Sequence, residues 1–271
     1  MSTRREAAAY GVGAGVITLV FLAPLVLMVL GSLRQPGLPP PDGFDLWPDP
    51  ARWRNFVDVT DVVPLLRQLL NSLLVVAVAV PVTIAIASWA AFVITTGARR
   101  TRRLLIALSL VTLMVPASAL WVPRVVLLEN LGLTDHTLVV AVPALMATTP
   151  FFVLLLALAY HRIPRSLFDA AAVEGLSAWR TWRTVGLPLT RPATFAVAVL
   201  AFVFHWSNLV EPLLLLADES TWVVSLGLQT LAAYEPTFYP LLLSGAVIAT
   251  LPAVLFFVLA HRAFFTRTLG S

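Results

Sequence analysis

The densest group of side chains able to do chemistry is His205, Trp206, Ser207, Asn208 and Glu211. On one continuous helix Asn208 and Glu211, three apart, share a face, and His205 lies three before Asn208 on the same stripe. Such a stripe suits hydrogen bonds to a polar solute, with Trp206 or Trp121 stacking on a flat face of it. The alternative, equally open, is that these residues bond neighbouring helices. Thr148, Thr149 and Arg124 are weaker candidates of the same kind. The four histidines, at 136, 161, 205 and 261, show no H-E-x-x-H or other ligand spacing, and no G-x-S-x-G occurs. Cysteine is absent, which removes thiol chemistry and thiolate metal sites. Lysine is absent too, all 18 basic residues being arginine, so no phosphate-binding loop with its Lys exists here. No metal, cofactor or catalytic centre is therefore expected on this chain, and ATP-driven work would need another chain to hydrolyse the nucleotide.

The elements that must position these residues are apolar. Of 271 residues 59% are hydrophobic and only 12% charged, with a mean hydropathy of +0.89. An ordinary soluble domain is roughly 25% charged, so these values point to a membrane protein. Uncharged stretches run from Ala7 to Leu33, Gln68 to Ala98, Leu104 to Pro123, Thr137 to Tyr160, Pro192 to Val210 and Pro236 to Ala260. Each is near the ~20 residues that cross a bilayer, which predicts six helices with both termini on one side. The first stretch follows Arg4 and Arg5 but exceeds a signal-peptide core and lacks a small-residue cleavage site, so it reads as an uncleaved span.

Arginine sets the orientation. The N-terminus, the loop holding Arg99, Arg100, Arg102 and Arg103, the segment from Arg162 to Arg191 and the C-terminal tail carry 13 arginines and three acids, against five and 11 on the other side. The arginine-rich side is the cytoplasmic one. The pI near 10.3 then reflects topology and anionic headgroups, and no nucleic-acid partner is implied.

Two connections exceed a turn. The outer one, Arg34 to Arg67, is rich in Pro and Asp, with Trp47 and Trp53 suited to an interface, and its composition does not separate a gate from a docking surface or a covering loop. In the inner one, His161 to Arg191, Ser166 and Asp169 have capping-box spacing, Leu167 to Glu174 reads as a short helix, and Gly175 suits a left-handed C-terminal cap. A second short helix starts at Ser177, carries Trp179 and Trp182, and stops before Pro188. Residues alone leave two readings: a hairpin lying on the headgroups with both tryptophans as anchors, or a plug whose Ala170, Ala171 and Ala172 let a partner approach closely.

The stretch Asp169-Ala170-Ala171, three residues, Gly175, nine residues, then Val185-Gly186-Leu187-Pro188 resembles the EAA motif of ABC importer permeases, with Asp in place of the usual Glu and Val in place of Ile. Asn71-Ser72, Pro116 to Pro123, Leu131-Gly132-Leu133-Thr134, Pro150-Phe151-Phe152, Ile163-Pro164 and Pro212-Leu213-Leu214 extend the likeness over nearly the whole chain. They resemble the carbohydrate branch, the maltose-permease-like inner-membrane subunits. The chain departs from it in ending at Ser271 without an extended glycine-and-basic tail, which puts any ATPase contact made by such a tail in question.

The resemblance implies an all-α membrane protein of six transmembrane helices in the type I ABC importer permease fold, with a cytoplasmic coupling-helix segment between helices 4 and 5. It implies an N-terminal helix and outer loop over 1–66, the type-1 transmembrane domain over 67–261 and a tail over 262–271. It further implies a second permease as a heterodimeric partner, two ATP-binding subunits that hold ATP and Mg, and an extracytoplasmic solute-binding protein. Asp169, Ala170, Ala171, Glu174 and Gly175 would seat the segment on an ATPase, with Leu187 and Pro188 fixing the return into the membrane. The substrate-pathway candidates are Trp121, His205, Trp206, Asn208 and Glu211. A proton-coupled secondary transporter using His205 and Glu211 is the rival reading. It leaves the motif spacing unexplained, and no inverted repeat is visible.

Overall fold

A computed structural model describes residues 2–40, 46–144, 150–234 and 236–268. All regular structure among them is helical. Three helices are long and apolar enough to cross a bilayer uninterrupted, Tyr10–Ser32, Leu65–Thr96 and Pro236–Ala260, and the number reaches six when each of three sharply bent helix pairs counts as one span. The chain divides into two compact units, residues 1–66 with 227–252 and residues 67–226 with 253–271.

In the first unit, α1 (Ser2–Ser32) exposes its apolar side chains all round from Tyr10 to Leu27, as a lipid-facing helix does, and is buried at its end. Its last carbonyls lack helical partners and would be costly to bury unpaired. Asn55, the first residue of α2 (Asn55–Val62), meets them by donating to Ser32 O at 2.7 Å and Arg34 O at 2.6 Å. Ser244 donates to Ser32 O as well, at 3.1 Å.

The second unit begins within α3 (Leu65–Thr96) and continues through α4 (Arg99–Met114) and α5 (Ala117–Asn130). A 3-10 turn over Thr137–Ala144 precedes α6 (Pro150–His161), α7 (Arg165–Val173) and α8 (Ala178–Thr181). A π turn, Trp182–Gly186, leads into α9 (Leu187–Leu189), α10 (Arg191–Trp206), α11 (Val210–Leu215) and the start of α12 (Val224–Ala232). The end of α13 (Tyr239–Thr268) returns to this unit.

Three expected spans are not single helices. The stretch Leu104 to Pro123 breaks at Val115 and Pro116, with α4 and α5 at 94°. Val115 is extended (φ −77°, ψ 118°) because the ring of the following proline disfavours helix there. Thr137 to Tyr160 opens as a 3-10 turn over Thr137–Ala144 containing Pro143, and among the described residues its α-helix runs from Pro150. Pro192 to Val210 ends as a helix at Trp206. Pro212 offers no N–H to the carbonyl of Asn208 and its ring would crowd it, which disfavours a continuous helix, and the chain restarts as α11 with Pro212 in its first turn.

Two apolar clusters hold the second unit together. One gathers Ala87, Ala91 and Phe92 of α3 with Leu156 and Tyr160 of α6, Phe168 of α7, Trp182, and Val197 and Phe202 of α10. The other joins Val75 and Ala79 at the opposite end of α3 to Leu128, Val139, Val140, Leu215 and Leu226. Asn71 fastens that end by donating to Ser220 O (3.1 Å) and Trp222 O (2.8 Å), while Ser72 Oγ accepts from Val224 N at 2.8 Å.

Candidate functional site

The segment after α6 is built as two short helices around a glycine turn, as expected, with different starts and stops. Pro164 (φ −56°, ψ 130°) is the N-cap of α7, which begins at Arg165. Ser166 therefore lies inside the first turn, and the expected capping box with Asp169 does not form. At the other end Gly175 adopts φ +76°, Leu176 N donates to Ala171 O and Gly175 N to Ala172 O, each at 3.0 Å. This paired closure, with a left-handed residue just past the helix, satisfies the last carbonyls and suits glycine because no Cβ is present.

Helix α7 is two-faced. Phe168 and Ala171, three apart, are buried, whereas Asp169, Ala170, Ala172, Val173, Glu174 and Gly175 are exposed. Val173 is 88% exposed, an unusual position for a β-branched apolar side chain outside a lipid-facing surface. Of the seven coupling candidates, Asp169, Ala170, Glu174 and Gly175 are thus exposed, and Ala171 lies on the buried face that anchors the helix. Leu187 and Pro188 are half-buried where the chain turns back.

Ser177 caps α8 as expected, its Oγ accepting from Arg180 N at 3.4 Å. The second helix does not stop before Pro188. It widens instead into a π turn, with Leu187 N donating to Trp182 O, and runs on to Leu189. The wider turn absorbs a residue whose missing N–H and bulky ring would disrupt α geometry. Trp182 is buried in the protein, not set among headgroups, and its Nε1 donates to Ser88 Oγ at 3.0 Å. Ser88 Oγ also lies 2.8 Å from the Tyr160 hydroxyl. Trp179, half exposed, packs its ring 4.6 Å from that of Trp182 and 5.7 Å from that of Trp89. Ser88, Trp89 and Tyr160 carry no local signal in the sequence, since each is one polar or aromatic residue in a long apolar run. Gly186 does carry one in retrospect: a Cβ there would stand 2.8 Å from Tyr160 Cε1, so the variable position of the motif must be small here.

The polar candidates separate into three places. Asn208 and Glu211 stand together with Arg124: Glu211 pairs with the guanidinium of Arg124 through Oε1 and accepts from Asn208 Nδ2 through Oε2 at 2.7 Å. His205 is on α10, so it does not continue their stripe, and its Nε2 lies 3.4 Å from Thr83 Oγ1 on α3. Trp206 stacks on Phe202 at 5.3 Å with planes 13° apart, and Phe202 stacks in turn on Phe256 at 4.2 Å. Trp121 is half-buried on α5, three residues before Arg124. Thr148 and Thr149 lie outside the described residues. The relay imagined for a proton-coupled transporter is not assembled, because Glu211 is committed to Arg124 and Asn208 rather than to His205. Among the described residues no cluster of three or more His, Asp or Glu side chains could hold a metal ion.

Comparison with known proteins accounts for this architecture. The family of binding-protein-dependent transport system inner membrane components matches residues 17–268. The lactose transport system permease protein of Rhizobium radiobacter is 31% identical over 202 residues, 74% of this chain and 73% of that protein. The diacetylchitobiose uptake system permease protein of Streptomyces coelicolor is 25% identical over 247 residues, 90% and 82% of the two chains. In structure the chain is similar to a subunit of a bacterial ABC transporter that imports the acidic polysaccharide alginate, with a TM-score of 0.76 at 17% identity over 97% of this chain and 98% of the other. The same fold recurs, at a TM-score of 0.67 and 15% identity, in the alginate transporter bound to its pentasaccharide-loaded periplasmic protein. The chain has the fold of a type I ABC importer permease, and it belongs to the binding-protein-dependent transport system inner membrane components, as a membrane-embedded permease subunit of an ABC importer.

Proposed function

We propose that this permease subunit carries a sugar or sugar-like solute, delivered by an extracytoplasmic binding protein, as one half of a pathway shared with a second, different permease chain. Two separate ATPase subunits bind ATP and Mg and do the hydrolysis, and this chain itself catalyses nothing. Its termini and the segment between α6 and α10 face the cytoplasm, in keeping with the arginine count of 13 on that side. Residues 1–66 serve as the N-terminal helix with its outer loop, 67–261 as the transport domain and 262–271 as the tail. The similarity to lactose, diacetylchitobiose and arabinooligosaccharide permeases favours a saccharide over other solutes.

The observation that carries the coupling assignment is the two-faced α7, in which Asp169, Ala170 and Glu174 are exposed while Phe168 and Ala171 are buried. An exposed rim closed by Gly175 is a seat for an ATPase cleft. When the ATP-bound pair closes, it draws the segments of both permeases together and tips the helices outward, and hydrolysis reverses the motion. The coupling free energy then resides in contacts that differ between the two states. Along the pathway, Trp121 and Trp206 keep partly exposed rings suited to stacking on a sugar, while His205, Asn208 and Glu211 hold the wall.

Tagging the chain, solubilising it gently from its native membrane and identifying the co-purifying proteins tests the assignment. A nucleotide-binding ATPase, a second multi-span chain and a binding protein are expected, and the binding protein is then screened against mono-, di- and oligosaccharides. Recovery of the chain alone, active in vesicles with a proton gradient and no ATP, would overturn it.

A further inference from the structure

We propose that Ser88, Tyr160 and Trp182 form a buried tether that makes residues 165–189 and the adjoining ends of α3 and α6 a single moving body, so that these three are positioning residues for coupling. The proposal rests on the reading of α7 as the ATPase seat. A force applied to the exposed rim of α7 reaches the spans only through whatever holds its other face. That face is held in two ways. Ring contacts run from Phe168 to Phe92 at 5.8 Å, from Trp182 to Trp89 at 5.5 Å and from Phe92 to Tyr160 at 6.2 Å. The hydrophobic part of this packing is non-directional and fixes the register of the elements less sharply than a hydrogen bond does.

The hydrogen bonds supply the direction. The indole N–H can only donate, so Ser88 Oγ accepts from Trp182 at 3.0 Å, and the same oxygen meets the Tyr160 hydroxyl at 2.8 Å. One serine on α3 thereby joins the end of α6 to the π turn. Ser88 and Tyr160 are 0% exposed and Trp182 is 6% exposed, so water cannot replace either bond. Gly186 closes the arrangement from the other side, because the chain passes so near the Tyr160 ring that a side chain there would strike it. Thr190 fixes the exit of the segment by donating to Gly186 O at 2.9 Å.

The test uses the assembled importer and needs no solute. The chain has no cysteine, so spin labels at Val173→Cys on α7 and Leu158→Cys on α6 are the only ones it carries, given cysteine-free partners. Both positions are exposed. The distance between labels is measured without nucleotide and after trapping with MgATP and vanadate. In the parent chain it is expected to stay the same between the two states. In Ser88→Ala and in Trp182→Phe it is expected to shift or broaden on trapping, in the double variant no more than in either single one, and Ser88→Thr is expected to restore it. A merely structural role would alter both nucleotide states equally, and that result, like an unchanged distance in both variants, overturns the tether. Trp182→Phe keeps the ring packing and carries the test where Ser88→Ala lowers assembly. Immobilisation of the Val173 label by the ATPase subunits reports separately on the seat: a label that stays mobile in the complex defeats that reading, whereas an immobilised label with no variant effect defeats the tether alone.

Discussion

Arg124 of α5 and Glu211 of α11 pair as buried ions across 87 residues of chain, with their side chains 8% and 13% exposed. Both helices follow a break, α5 after Pro116 and α11 after Ser207. Leu128 of α5 and Leu215 of α11 already share an apolar cluster, and the ion pair ties the two helices to each other beside it. Asn208 completes the arrangement from the break itself by donating to Glu211 Oε2.

Removing one ion strands the other. Glu211→Ala is expected to cost about 3–5 kcal/mol and to lower the amount of assembled permease steeply, because Arg124 is left buried without a counter-charge. The double change Arg124→Leu with Glu211→Leu is expected to recover most of the yield. Quantitative blots of membrane fractions and detergent melting curves check both. A Glu211→Ala chain that assembles normally would show that Arg124 finds another partner.

At Gly175 the backbone alone sets the requirement, since nothing beyond its chain neighbours lies within 4 Å of where a Cβ would stand. Gly175→Ala is expected to cost about 1–2 kcal/mol for left-handed geometry, and Gly175→Asn less. Gly175→Pro fixes φ near −65° and removes the N–H that Ala172 O accepts, so ATP-driven uptake is expected to vanish from a normally inserted protein. Full uptake by that variant at normal abundance would sink the coupling role.

For Gly186 the requirement is space. Gly186→Ala forces its methyl against the Tyr160 ring and is expected to cost about 1–3 kcal/mol as overpacking. Limited proteolysis of the 165–189 segment in proteoliposomes is the measurement, with faster cleavage in the variant as the expected result.

Asp135 works at the opposite end of the second unit. Its Oδ1 accepts from Ala217 N at 2.6 Å and Asp218 N at 3.2 Å, and its own N donates to Leu215 O at 3.1 Å, all from a left-handed residue at φ +62°. Asp135→Asn keeps both the acceptor and a tolerance for that conformation, and is expected to be near neutral. Asp135→Ala loses both and is expected to destabilise by about 1–3 kcal/mol, read as a fall in melting temperature.

Composition and short-range spacing determined the class of this protein. Leu65 to Thr96 and Pro236 to Ala260 were legible as spans because apolar length is a local property, and Gly175 as a left-handed cap because a helix end needs one. The motif from Asp169 to Pro188 was legible for the same reason, its parts lying within 20 residues of one another. Hydropathy could not locate the breaks at Pro116 and Ser207, since apolar residues continue on both sides of each. Nor could it separate His205 from Asn208 and Glu211, whose shared stripe presumed an unbroken helix. Only the tertiary structure decided that Glu211 meets Arg124, and that Ser88 receives Trp182 across 94 residues. Such bonds form where low-dielectric burial makes an unpaired polar group costly, and which partner is near is set by how the helices pack.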